Sequence, residues 1–153
     1  APFATSRSMT RIRTLALAAA LSFAPTLAPA QSTSDDAAVR AVIQQYFRGH
    51  ATGDSAVMRK AFHPTAHIEG IRGGAFSSWT LNEYVGNMGG TPAPDESSRR
   101  RTIDSVDLMG TAAMAKATLV HGAVTFTDYF VLLKVNGVWG IANKVYYAER
   151  KGT

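Results

Sequence analysis

Apolar residues recur at Val39, Val42, Ile43, Tyr46 and Phe47, the three-and-four spacing of one helical face. Asp35 and Asp36 open this helix, and Gly49, His50, Thr52 and Gly53 close it. Asp54 is placed to cap a second, short helix reaching Phe62, with Val57, Met58, Ala61 and Phe62 turned inward. Pro64 ends that helix, Ala66 to Arg72 reads as a strand, and Gly73-Gly74 turns the chain. Thr80 then caps a third helix over Leu81 to Met88. Residues 89–98, GGTPAPDESS, are a loop by composition. Four strand-like runs follow: Arg99–Met109, Ala112–His121, Val124–Val135 and Val138–Glu149. Asn136-Gly137 predicts a tight hairpin between the last two, because a type I′ turn needs positive φ at both central residues. Helices first and an antiparallel meander after predict an α+β fold, with the helices on one face of a curved sheet.

Composition narrows the class. The chain has 153 residues, 46% hydrophobic and 18% charged, which suits one domain with a real core and argues against disorder. With no cysteine it has no disulfide, no thiolate metal site and no thiol nucleophile. The net charge of +5 first suggests nucleic acid. Its distribution says otherwise: Arg7, Arg11 and Arg13 lie in the first thirty residues, which hold no acid. The remainder carries 13 basic and 11 acidic residues, a net of +2.

Those first residues read as an export signal. After Met9 come Arg11 and Arg13, an apolar run from Leu15 to Phe23, and Ala28-Pro29-Ala30 as a small-residue cleavage site before Gln31. The apolar run is shorter than the roughly 20 residues a membrane helix needs, and Pro25 and Pro29 interrupt it. The expected division is a leader with an upstream extension over residues 1–30, then a polar tether over 31–36. A single domain over 37–149 and a tail over 150–153 follow, in a periplasmic or secreted protein with no membrane span after processing.

The C-terminal stretch FTDYFVLLKVNGVWGIANKVYY resembles the end of the nuclear-transport-factor-2-like superfamily. It is most similar to the small bacterial group labelled "putative lumazine-binding", related to the SnoaL-like polyketide cyclases. Further pieces stand in family order: Gly53-Asp54 after a helix, Ala61-Phe62-His63-Pro64, the Pro-Ala-Pro loop, Gly110 to Lys116, and Trp139 to Lys144. The resemblance covers Ala37 to Glu149. It implies a cone, in which three N-terminal helices close the concave face of a bent, mainly antiparallel sheet around a pocket. It implies little about activity, because this fold hosts isomerases, cyclases, dehydratases and plain binding modules.

Ketosteroid isomerases share the fold and give a test. Their oxyanion-hole tyrosine stands eight residues before the aspartate of the Gly-Asp pair, as Tyr46 stands before Asp54. Their protonated acid precedes an aromatic pair on the penultimate strand, as Asp128 precedes Tyr129-Phe130. Their general base matches Gly70, which cannot take a proton, and strand alternation turns the neighbouring Glu69 away from the cavity. Candidate catalytic groups are therefore Asp128, Tyr46 and His121, the last as acid or base at the pocket rim. Each also has a structural reading: a buried tyrosine satisfies its hydroxyl internally, and a buried carboxylate needs a partner.

Candidate ligand walls are Trp79, Tyr84 and Met88 around the third helix, with Ile68, Phe126 and Phe130 on strands. Alternation with Trp139 and Ile141 places Asn143 in the cavity too. His63 and His67 are four apart, but Pro64 between them breaks the helix a zinc site of that spacing needs, so no metal is expected. Neither is a cofactor. Arg99-Arg100-Arg101 is a basic run without any RNA-binding motif, so nucleic acid is not an expected partner.

The expected function is binding of a small hydrophobic molecule bearing a carbonyl or hydroxyl. Two alternatives stay open. One is a cyclase, dehydratase or isomerase using Asp128 or His121 as acid/base and Tyr46 as oxyanion donor; the other is a dimeric structural or interaction module. The outer sheet face, with Thr125, Thr127, Tyr129, Val131 and Leu133 beside Ala142, Lys144 and Tyr146, is expected to pair two copies as a homodimer.

Overall fold

A computed structural model describes residues 29–150. The leader expected over residues 1–30 and the tail after residue 150 lie essentially outside the described residues.

Helix α1 runs Pro29–Thr52 and buries Val39, Ile43, Tyr46 and Phe47, as the periodicity requires. It begins earlier than the Asp35-Asp36 pair, so residues 31–36, expected as a tether, are helical. Asp35 does not serve that helix end. Its Oδ1 accepts from Lys134 Nζ at 2.7 Å and Trp139 Nε1 at 3.0 Å, pinning α1 to the last hairpin. Helix α2, Ser55–Arg59, is capped by Asp54, whose Oδ1 accepts from the backbone N–H of Ala56 and Val57. It ends three residues before Phe62. Phe62 opens strand β1, Phe62–Arg72, because it pairs with Ile141, and the preceding Ala61 carbonyl accepts from Ile141 N–H at 2.9 Å. Pro64 thus sits inside the strand, where the register slips between Phe62 and His67; a proline has no N–H for the ladder.

Residues left unassigned by the hydrophobic pattern form strand β2, Ala75–Thr80. It is an edge strand pairing only with β1, so all of its positions but Trp79 are polar or exposed and its alternation is weak. Thr80 heads helix α3, Leu81–Gly86, through a capping box with Glu83. A single 3-10 turn, Glu96–Ser98, interrupts the predicted loop. Strands β3 (Arg100–Met109), β4 (Ala112–His121), β5 (Val124–Val135) and β6 (Val138–Arg150) complete the chain. Asn136 and Gly137 have φ of 51° and 82°, as the predicted hairpin turn demands.

The six strands order as β2-β1-β6-β5-β4-β3, antiparallel throughout except for the parallel pair β1–β6. This is the expected α+β roll, with the helices on the concave face of a curved sheet. Ala113, Ala115, Ala117 and Leu119 of β4, with Phe130 and Leu132 of β5, face the helices. No helix among the described residues is long and apolar enough to cross a membrane.

One irregularity in β6 decides the site. The β5–β6 register slips between Val131 and Leu132: Val131 pairs with Asn143, but Leu132 pairs with Ile141. Ala142 is the extra residue of a β-bulge, and it reverses the alternation beyond it. Ile141 is inward, yet Asn143 is outward, and Lys144, paired with Phe130, is inward and 5% exposed. Uninterrupted alternation would have made Asn143 the cavity residue and put Lys144 and Tyr146 on the outer face; the bulge corrects these placements.

Candidate functional site

A cavity of about 510 Å³ opens between α1, α3 and the concave sheet. Its floor is polar and deeply buried. Tyr46 Oη donates to Asp128 Oδ2 at 2.6 Å, Lys144 Nζ donates to Tyr46 Oη at 2.9 Å, and Lys144 Nζ lies 3.2 Å from Asp128 Oδ2. These groups come from α1, β5 and β6, and each is at least nine-tenths buried. Tyr46 is held protonated: burial first, and the Asp128 charge second, push its hydroxyl well above the ordinary range. The lysine ammonium also stands 5.1 Å from the centres of the Tyr46 and Tyr146 rings and 5.6 Å from that of Tyr84, within cation–π range. Lys144 Nζ thus makes one hydrogen bond, to Tyr46, and one ion-pair contact, to Asp128, whose other oxygen, Oδ1, is buried without a hydrogen-bond partner among the described residues.

The walls are aromatic. Trp79 stacks on Tyr84 at 6.4 Å, and Phe126 meets Tyr146 at 6.3 Å and His121 at 5.6 Å. Tyr84 Oη and His50 Nε2 share a hydrogen bond of 3.1 Å, and the His50 ring stands edge-on to Tyr46 at 4.7 Å and to His121 at 5.5 Å. Both histidines are neutral at pH 7. Burial chiefly, then the nearby Lys144, drives His50 well below its ordinary value. Burial and the Arg99 and Arg101 charges bring His121 down to about 4. His121 Nε2 is buried without a hydrogen-bond partner among the described residues.

Of the residues singled out from sequence, Tyr46, Asp128, His121, Trp79, Tyr84 and Phe126 come together around this cavity. Phe130 and Ile68 lie behind it in the core, Phe130 5.1 Å from the Tyr46 ring. Met88 packs on the core's edge and does not line the cavity. Asn143 lies on the opposite face of the sheet, where its Nδ2 donates to Glu69 Oε2 at 3.3 Å and it borders a shallow hollow of about 270 Å³. Sequence reasoning missed Lys144, His50, Tyr146 and the rim arginines Arg72 and Arg150, all of which line the cavity. His50 had a usable signal: it lies one turn after Tyr46 on the same helical face.

Gly70 has a physical reason for being glycine. A Cβ there would come within 2.6 Å of the Tyr146 ring, so the ring occupies the place where a base would project. The pairing of Lys144 with Asp128 also changes the chemistry available. A carboxylate beside an ammonium is an ion-pair partner rather than the neutral hydrogen-bond donor that an oxyanion hole needs.

A family model described as "putative lumazine-binding" matches residues 34–147. Among solved structures, the chain is similar to a nuclear-transport-factor-2-like protein of unknown function from Shewanella baltica OS155. The two are 28% identical over 78% of this chain and 97% of that one, with a TM-score of 0.70. A second such protein, from Methylobacillus flagellatus KT, is also 28% identical, over 76% of this chain and 93% of that one, with a TM-score of 0.67. A third, from Silicibacter pomeroyi DSS-3, has a TM-score of 0.70 over 77% of this chain and 98% of that one, and at 22% identity shares the fold. No curated protein matches the chain.

Proposed function

The chain belongs to the "putative lumazine-binding" family within the nuclear-transport-factor-2-like superfamily, and from that premise we propose that it is an exported protein that binds a small, ring-bearing, largely apolar molecule. The observation that carries the reading is the buried Lys144–Tyr46–Asp128 cluster at the floor of an aromatic-walled cavity. Burying these groups is tolerable because Asp128 Oδ2 meets both Tyr46 and Lys144. Asp128 Oδ1, buried without a hydrogen-bond partner among the described residues, and the Lys144 ammonium offer a ligand hydroxyl or carbonyl fixed points to meet. Trp79, Tyr84, Phe126 and Tyr146 then offer flat surfaces to the rest of the ligand. A planar heterocycle with ring carbonyls, of the kind the family description names, suits both features. The cavity volume lies within the range of sites for small organic molecules.

An isomerase-type reaction is less well supported. Tyr146 fills the place of its base at Gly70, and Lys144 engages the acid. The outer sheet face supports a homodimer. The exposed Met114, Tyr129, Val131, Leu133, Val145 and Tyr147 share it, a broad apolar surface for a second copy to cover.

Native mass spectrometry of the protein from the exported fraction of its own host tests export and binding together. The expected result is a chain beginning at Gln31 with a retained organic molecule of a few hundred daltons. An unprocessed chain refutes export. A processed chain with no retained mass, and none regained on incubation with a panel of aromatic carbonyl compounds, refutes binding.

A further inference from the structure

The rim of the cavity carries two arginines that form no ion pair among the described residues. Beyond the bulge, Lys144, Tyr146, Ala148 and Arg150 of β6 all line the cavity, alternating down one strand face. Six residues at about 3.3 Å each put Arg150 roughly 20 Å from Lys144 along the strand, at the open end. Arg72 ends the neighbouring strand β1 at that same end, since Gly70 pairs with Tyr146 in parallel register. Its guanidinium lies 5.9 Å from the centre of the Trp79 ring, over one cavity wall.

The charges at the floor of the cavity and behind His121 are matched. Lys144 is paired with Asp128. Behind His121, Arg99 pairs with Asp95 at 2.9 Å and Arg101 with Glu96 at 2.6 Å. Among the described residues, no carboxylate lies within ion-pair distance of Arg72 or Arg150. A cavity with an internally neutral floor, aromatic walls and two unbalanced guanidinium groups at its mouth has a definite electrostatic preference.

We infer that the ligand is an amphipathic organic anion whose ring system fills the cavity and whose carboxylate, or a similar anionic group, is held at the mouth by Arg72 and Arg150. This rests on the binding reading above and adds a charge and an orientation to it. A guanidinium fork suits a carboxylate or sulfonate in geometry as well as sign. Because both arginines are solvent-exposed, the expected preference is modest, about tenfold for two contacts, and it weakens as salt screens it.

A matched pair of fluorescent probes isolates the charge. 8-Anilinonaphthalene-1-sulfonate and N-phenyl-1-naphthylamine share one ring body, and only the first carries an anion. Titrated against the purified protein at low salt, the sulfonate is expected to bind about tenfold more tightly. The Arg72→Gln/Arg150→Gln double variant should bring the two affinities together, as should about 0.5 M sodium chloride. Ala148→Trp, which fills the mouth, should weaken both probes. Equal affinities in the unaltered protein, or a preference that survives in the double arginine variant, overturn this inference alone, provided Ala148→Trp still blocks the probes. Probe binding that ignores Ala148→Trp places the probes elsewhere and overturns the cavity reading as well. Should that variant fail to fold, energy transfer to the bound probe, compared between the unaltered protein and Trp79→Phe, locates the probe instead. Transfer unchanged on losing Trp79 counts against the cavity.

Discussion

Replacing Lys144 with methionine removes one partner of a buried ion pair while keeping the length of its apolar stem. In the unaltered protein Lys144 Nζ lies 3.2 Å from Asp128 Oδ2, and the side chains are 6% and 1% exposed. At an effective dielectric constant of about 20 that separation is worth roughly 5 kcal/mol of attraction. Desolvating the two ions costs several kcal/mol each, so the pair as a whole contributes little net stability. Removing one member is different, because Asp128 remains buried at full desolvation cost with only Tyr46 Oη to satisfy it. The expected loss is about 3–5 kcal/mol for Lys144→Met, and similar for Asp128→Asn, which strands the ammonium. In a domain of this size, that lowers the melting midpoint by on the order of 10–20 °C. The double variant removes both charges, and the side-chain amide that replaces the carboxylate would still accept from Tyr46. It should therefore return to within about 2 kcal/mol of the unaltered protein. Urea titrations followed by Trp79 and Trp139 fluorescence measure all four corners of this cycle. A Lys144→Met variant within about 1 kcal/mol of the unaltered protein, or a double variant no better than the worse single one, would falsify the claim that these charges depend on each other.

Other outcomes follow from the same geometry. His50 and His121 have folded-state pKa values below the ordinary 6.5, so between about pH 6.5 and 4 the unfolded chain binds more protons than the folded one. Stability should therefore fall as pH drops through that window, and His121→Gln should flatten part of the slope in melts from pH 7.5 to 4.5. On the outer face, light scattering of the processed protein at tens of micromolar should report a dimer, and Tyr129→Glu, placed in the middle of that face, a monomer. A monomeric mass for the unmutated chain would sink the dimer.

Local rules carried much of this protein's architecture. The Asp54 and Thr80 caps, the buried stripe of α1 and the Asn136-Gly137 turn each depend on a few consecutive residues, so composition and spacing sufficed to place them. Tyr46 and Asp128 were legible as candidates for a similar reason. Each sits on an element whose inward face is unambiguous, and their contact spans 82 residues only because the roll brings those faces together. What failed were features set by partners distant in sequence. Strand β2 has too weak an alternation to declare itself and exists as a strand because β1 offers it a ladder. Phe62 reads as a helix residue until Ile141 pairs with it.

The site's chemistry turned on a still smaller matter. Side-chain alternation in a strand has a period of two, so one extra residue sends every later side chain to the other face. The bulge at Ala142 arises from how β6 pairs with β5, and no residue in GIANKVYY announces it. Sequence periodicity alone assigned Asn143 to the cavity and Lys144 to the surface; the tertiary pairing exchanges them. It thereby supplies the cation that meets Asp128, the Tyr146 ring that fills the space at Gly70, and the arginine that reaches the rim. The chain alone determined most of the elements, β2 and the start of β1 excepted, and the α+β class, because those follow from local propensity and burial. Which charges face one another in the buried interior was decided only when the strands took their register.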